Sequence, residues 1–292
     1  MFDLRYHVAS LTAVFVALVI GILVGVGLSG KGFVNDAERS NLNATIADLQ
    51  RQRDAAKQSL DSATRGAQAL KDFADTTYPA VVPGRLDGKK VAVLFVGPVS
   101  QGVAFNVQRA VGDAGGRVVR TRSISVPLDT VAVQKALRTD PAFRSFLGAE
   151  NLPRLGNALA LELAAGGKTP LWDALGKIIV QEREGPATPP ADAVVVVRSA
   201  EPQQGRTKAF LAGLYGGLAR SGEPAVGTEG SGASPSAIPA FSLAGLSTVD
   251  SVDTSAGRLG LVLLLGGAEP GHYGVREPAK DGALPPIPPA QR

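Results

Sequence analysis

The chain predicts an α/β protein: an N-terminal transmembrane helix, a coiled-coil stalk, then a Rossmann-like open parallel-sheet domain. Three observations predict it. Val8–Gly30 contains no charged residue. From Asn35 to Ala74 apolar residues recur with a seven-residue period. From Val91 to Val126 the pattern is strand, helix, strand. On these grounds the 292 residues divide into an anchor (1–30), a coiled coil (35–75), a linker (76–90), an α/β domain (91–275) and a Pro-rich tail expected to be disordered (276–292).

The anchor is read from length and chemistry. As a helix, its apolar run is long enough to cross a hydrocarbon layer of ~30 Å. A cleaved signal peptide has a shorter apolar region of about 7–15 residues behind several basic residues. Here Arg5 is the only basic side chain ahead of the run other than His7, and Asp3 offsets it. Gly27-Leu28-Ser29 is a poor cleavage site, so a retained anchor is the better reading. Gly21 and Gly25 are spaced for close approach of two helices in lipid. Basic residues flank the span almost evenly, with Arg5 on one side and Lys31 and Arg39 on the other. A short leading tail before one span is typical of a signal anchor. The absence of cysteine suits an oxidising compartment. The expected location is therefore the cell membrane, single-pass, with the C-terminal domain extracytoplasmic and membrane lipid as the anchor's partner.

The stalk is read from a count. Leu42, Leu49, Ala56, Ala63 and Leu70 fall at one seam position. Ile46, Arg53, Leu60, Ala67 and Ala74 fall at the other, spaced alternately by four and three. That is a coiled-coil seam, interrupted in charge only by Arg53. Asp48, Arg51, Asp54, Lys57 and Asp61 lie outside it, as a solvated face should. Asn35 or Asp36 is placed to cap the start. Gly66 weakens the helix by about 1 kcal/mol relative to Ala. A single amphipathic helix folded back on the domain is the alternative. As a helix the stalk spans roughly 60 Å. Leu42, Ile46, Leu49, Leu60 and Leu70 are the expected interaction residues, mediating self-association or binding of a partner protein.

Pro79, Pro83, Gly84 and Gly88 mark the expected linker. Val91–Val96 reads as a buried strand, Gly102–Ala114 as a helix and Arg117–Val126 as a second strand, a parallel βαβ unit. Two or three helices are expected within Thr130–Glu184. Ala193–Val197 reads as another buried strand, Arg206–Arg220 as an amphipathic helix and Ala225–Gly227 as a short strand. Arg258–Gly266 belongs to the core, but its composition does not decide helix from strand.

Composition excludes several functions. Net charge is +4 and aromatics are 5% of residues, without the basic, aromatic-interleaved patches of nucleic-acid binders. With no Cys, two His and only the initiator Met, few ligands are available for a transition metal. The Gly97–Gly102 turn follows the first strand, but Pro98 and Val99 break the dinucleotide fingerprint. Gly166-Gly167-Lys168-Thr169 ends like a P-loop but has Glu162 where the earlier glycine belongs. Asp250 and Asp253 are the nearest approach to paired carboxylates. Asp253 or Thr254 also fits the N-cap of a following helix, and that structural role is the stronger reading. With His7 at the membrane edge and His272 alone near the terminus, no Ser–His–Asp arrangement is expected. Arg117, Arg120 and Arg122, with Arg109, form a basic cluster. It reads as a solvated sheet edge, or else as a surface for an anionic partner. No catalytic group, cofactor or resident metal is expected.

Met1–Phe15 (MFDLRYHVASLTAVF) with Gly21–Gly25 resembles the actinobacterial MctB-like family, usually named copper transport outer membrane proteins. So do Gly245–Gly257 (GLSTVDSVDTSAG) and Gly271–Gly274. The resemblance covers nearly the whole chain and implies copper transport or homeostasis. It also implies a second reading, a coiled-coil scaffold regulating a cell-wall hydrolase during cell separation. A hydrolase using Asp250 and Asp253 is the more distant third.

Overall fold

The computed structural model describes residues 4–29 and 36–287. The proposed cap residue Asn35 and the flanking residues Asp3 and Lys31 lie outside them, and the side chains of Arg5 and Asp36 are not described. The chain forms two compact units, one up to Ala67 and one from Gln68.

In the first unit, α1 spans Leu4–Ser29. Its segment His7–Gly27 is 21 residues, long and apolar enough to cross a membrane. A second helix, α2, runs from Asp36 to Val81 and enters the second unit. Its polar face carries the short-range pairs expected of a solvated helix, such as Arg51–Asp48 at 3.3 Å.

The helix outlasts the stalk expected to end at residue 75. Pro79 lies inside α2 rather than in a linker. A helical proline loses one hydrogen bond and crowds the preceding turn, at about 3 kcal/mol. The buried stripe Ala74, Tyr78 and Val82 offsets that cost. Ala74, counted as a seam residue, is 2% exposed within the domain. Turns through Gly84 and Gly88, both at positive φ, then lead into the sheet.

The second unit is a seven-stranded, mostly parallel sheet between helical layers. In chain order it comprises β1 (Lys90–Val96), α3 (Gln101–Asp113), β2 (Arg117–Ile124), α4 (Thr130–Leu137), α5 (Leu152–Ala165), α6 (Pro170–Ile179) and β3 (Val180–Glu184). Then follow β4 (Ala193–Arg198), α7 (Gly205–Ala219), β5 (Ala225–Thr228), α8 (Ile238–Leu243), β6 (Ser247–Val249), α9 (Ser255–Leu265) and β7 (His272–Tyr273). The order across the sheet is β3-β2-β1-β4-β5-β6-β7. Only β3 is antiparallel to its neighbour. The continuous apolar run of β1 is explained by burial on both faces. Ala92, Leu94 and Val96 pack into one core and Val91, Val93 and Phe95 into the other.

Three readings are corrected here. First, β2 is not an edge strand. It is flanked by β1 and β3, and the exposed charged edge is β3 itself, with Glu182, Arg183 and Glu184. Arg120 and Arg122 are consequently buried rather than solvated. Second, the part of the tail up to Pro285 is held on the domain. Leu284 packs against the core, Pro285 is buried, and the Asp281 carboxylate accepts the His272 backbone N–H at 2.7 Å. Residues 288–292 lie outside the described part. Third, Val180–Glu184, expected within a stretch of helices, is the strand β3, and the short elements α8, β6 and β7, two to six residues long, carry no clear sequence signal.

The undecided Leu-rich run is helix α9. Thr254 Oγ1 accepts the Gly257 N–H at 3.0 Å and caps it. On the opposite face, α5 and α7 pack almost backbone to backbone. A Cβ on Gly213 would lie 2.0 Å from the Pro153 carbonyl oxygen, and one on Gly156 would lie 2.2 Å from that of Phe210.

Candidate functional site

From β1 the chain turns to β2 on one side, while β4 lies on the other. The loops after β1 and β4 therefore part at their C-terminal ends, where open α/β sheets bind ligands. The two loops are fastened together at their base. The backbone N–H groups of Ser199 and Ala200 both donate to the Val96 carbonyl, at 3.0 and 3.1 Å. Ser199 Oγ donates to the Pro98 carbonyl. Gly97 has φ 98°, and a Cβ there would stand 2.7 Å from that of Ala200. Only glycine satisfies both the conformation and the close approach.

Above this junction opens a cleft of about 550 Å³, lined among others by Pro98, Ser100, Val103, Arg198, Glu229 and Ser234. Its polar wall is internally satisfied. Glu229, 2% exposed at the end of β5, pairs with Arg276 Nη1 at 2.6 Å. The same carboxylate accepts Ser236 Oγ at 2.8 Å and the Ala237 N–H at 2.6 Å. Arg276 Nη2 donates to the Ala233 carbonyl at 2.7 Å, and Arg198 Nη2 to those of Pro235 and Ser236, both at 3.0 Å. These bonds fold the 230–236 loop over the cleft's side. Helix α3 begins beside it at Ser100, whose side chain makes no capping bond.

The two acids singled out in the sequence do not form a pair. Asp250 is buried at the end of β6 and accepts the N–H groups of Val275 and Arg276, at 3.2 and 2.9 Å. Asp253 accepts the backbone N–H and hydroxyl of Ser231, at 2.7 and 2.6 Å. Burial pushes the Asp253 carboxyl up, but the bonds from Ser231 outweigh it and leave it below the usual carboxylate range. Each acid fastens a different loop, and the helix cap is Thr254. The Gly166–Thr169 turn lies between α5 and α6 with no strand before it.

His272 is the residue whose surroundings sequence spacing hid. Its Nε2 lies 2.8 Å from Ser242 Oγ and its Nδ1 3.0 Å from Thr248 Oγ1. These partners are 30 and 24 residues away; Ser242 comes from the short helix α8 and Thr248 from the short strand β6. The third member is a hydroxyl, not the carboxylate that stabilises an imidazolium in a hydrolytic triad. With both ring nitrogens engaged, His272 offers no free lone pair to a metal. Among the described residues no group of three or more His, Cys, Asp or Glu side chains could hold a metal ion.

The expected interaction residues all lie on α2. Leu42, Ile46, Leu49 and Leu60 are between 51% and 66% exposed, and Leu70 is 37% exposed. Arg109 pairs with Asp113 on the surface of α3 at 3.6 Å.

Among the described residues, one helix long and apolar enough to cross a membrane and a mostly parallel α/β sheet with a cleft at its C-terminal edge define the class of protein. The chain belongs to the family described as copper transport outer membrane protein, MctB, whose model matches residues 1–285. It is 27% identical over 313 aligned positions to the copper transporter MctB of Mycobacterium bovis, covering 94% of this chain and 96% of that protein. The same figures hold for the copper transporter MctB of Mycobacterium tuberculosis.

Proposed function

We propose that this protein is a single-pass, membrane-anchored and non-enzymatic component of copper handling in the cell envelope. Its Rossmann-like domain stands on the extracytoplasmic side. The carrying observation is the family match over residues 1–285, which includes the apolar helix His7–Gly27. In this reading the role in copper transport or homeostasis is exercised through a partner rather than by ligation on this chain. Soft Cu(I) sites are built from thiolates and thioethers, and Cu(II) sites from imidazoles. The chain has no Cys, one Met and two His, and His272 is already bonded at both nitrogens.

Protease added to spheroplasts tests the topology. Digestion of the domain, with residues 8–28 retained in the mature protein, is the expected result. A protected domain, or a mature N-terminus near Gly30, overturns it.

The second reading, a coiled-coil scaffold regulating a cell-wall hydrolase, draws on the exposed leucines of α2. Crosslinking in cells followed by identification of the bound protein separates the two. A cell-separation defect on deletion, with copper tolerance unchanged, favours the scaffold.

A further inference from the structure

Arg120 and Arg122 are each 2% exposed. They share one strand of the sheet, two residues apart, and both border a single small cavity. Arg120 spends only Nη1, which donates to the Leu163 carbonyl at 3.1 Å. Its Nε and Nη2 are buried and have no hydrogen-bond partner. Arg122 donates to the carbonyls of Thr121, Glu184 and Gly185, at 2.8, 2.6 and 3.2 Å. Among the described residues no carboxylate forms an ion pair with either guanidinium. The nearby acids are engaged elsewhere. Asp173 bridges Arg183 at 3.1 Å, and Glu162 accepts the N–H groups of Leu171 and Trp172. Two cations thus sit in the interior with only neutral hydrogen-bond acceptors, and Asp173, which favours the charged form of Arg122 from nearby, is bonded to Arg183 instead. That arrangement is strongly unfavourable unless an anion joins it. Burial lowers the pKa of both arginines, and for Arg122, where Arg183 and Arg120 add repulsion, to about 10.

The cavity is about 10 Å³ and is walled by Arg120, Arg122, Leu163, Thr169, Trp172 and Ala187. This is the space open to the centre of a water-sized sphere, and it leaves room for one monatomic anion. It excludes phosphate, sulfate and carboxylate. We propose that this cavity binds a single halide ion, held by the unpartnered Nε and Nη2 of Arg120 with Arg122 beside it. The ion neutralises the buried pair and fastens β2 to the segment from α5 to α6. The site is separate from the cleft at the other strand ends and from any copper role.

The test is thermal unfolding of the full chain in detergent micelles, with sodium chloride or bromide set against sodium gluconate at constant ionic strength in the millimolar range. The expected result is a midpoint that climbs linearly with the logarithm of halide concentration and does not climb in gluconate. In Arg120→Gln the halide response should vanish. Equal midpoints in halide and gluconate overturn the proposal, since the cavity then holds water. A response that persists in Arg120→Gln also overturns it, because the ion then binds elsewhere. Should that variant fail to fold, crystals of the unchanged protein grown in bromide decide the matter. Anomalous density between Arg120 and Arg122 supports the site, and its absence refutes it.

Discussion

The guanidinium carbon of Arg258 lies 5.2 Å from the centroid of the Tyr78 ring. A side chain of α9 thus holds the last turns of α2 against the domain. Arg258 is oriented by three further bonds, to Asn106 Oδ1, the Asp253 carbonyl and Ser255 Oγ, at 3.1, 3.2 and 2.8 Å. The Tyr78 hydroxyl donates to Asp113 at 3.1 Å. This cluster joins α2, α3 and α9 at the point where a linker was expected, and it is why the helix persists through Pro79.

Tyr78 makes this junction sensitive to alkali. Burial first, then the Asp113 carboxylate, push its hydroxyl up to about 12. In the unfolded chain the value is about 10. Below about pH 10 both states keep the proton; between about 10 and 12 only the folded state does. Tyr78 therefore contributes stability that is whole below pH 10 and is lost as pH rises through 12. Urea unfolding across this range should show a steeper decline for the natural protein than for Tyr78→Phe. Equal slopes would refute it.

Glycine substitutions should separate close packing from helix propensity. Gly213→Ala forces a methyl against the Pro153 backbone and should cost about 1–3 kcal/mol. Gly112→Ala on α3 meets nothing within 4 Å and should gain up to about 1 kcal/mol. Thermal unfolding midpoints that move in opposite directions are the expected reading.

Arg276→Met leaves the buried Glu229 carboxylate without its cation. A loss of about 3 kcal/mol in denaturant unfolding is expected. Pairing it with Glu229→Gln should recover part of that loss, because the uncompensated charge is then gone. A double variant no better than Arg276→Met would count against the pair's importance.

Leu49→Glu together with Leu60→Glu places two charges in the exposed seam of α2. If that seam associates as proposed, the double variant should abolish association of the stalk. Light scattering that returns the same mass for both proteins would rule the seam out.

Calorimetric titration of the full chain with Cu(I) and Cu(II) should reveal no stoichiometric site of submicromolar affinity. Such a site would mean that the chain ligates copper itself, and would restore direct transport.

Much of the architecture was legible in the residues alone. The apolar run of α1, the doubly buried strands β1 and β4, and helices α3 and α7 announce themselves because burial imposes a long, regular pattern on side chains. The family, too, is readable from Met1–Phe15 and Gly245–Gly257. The site was far less so. Only the fold places Arg276 on Glu229, Ser242 and Thr248 on His272, and Arg258 on Tyr78, across 24 to 180 residues of chain.

The sequence by itself determined the elements long enough to carry a period, together with the scarcity of cysteine, methionine and histidine. Tertiary structure alone decided that β2 is interior, that α2 continues through Pro79 and that the tail is held up to Pro285. The physical reason is that these outcomes turn on burial and on hydrogen bonds between distant segments. A strand's neighbours, and the packing that overrides a helix-breaking proline, have no local signature.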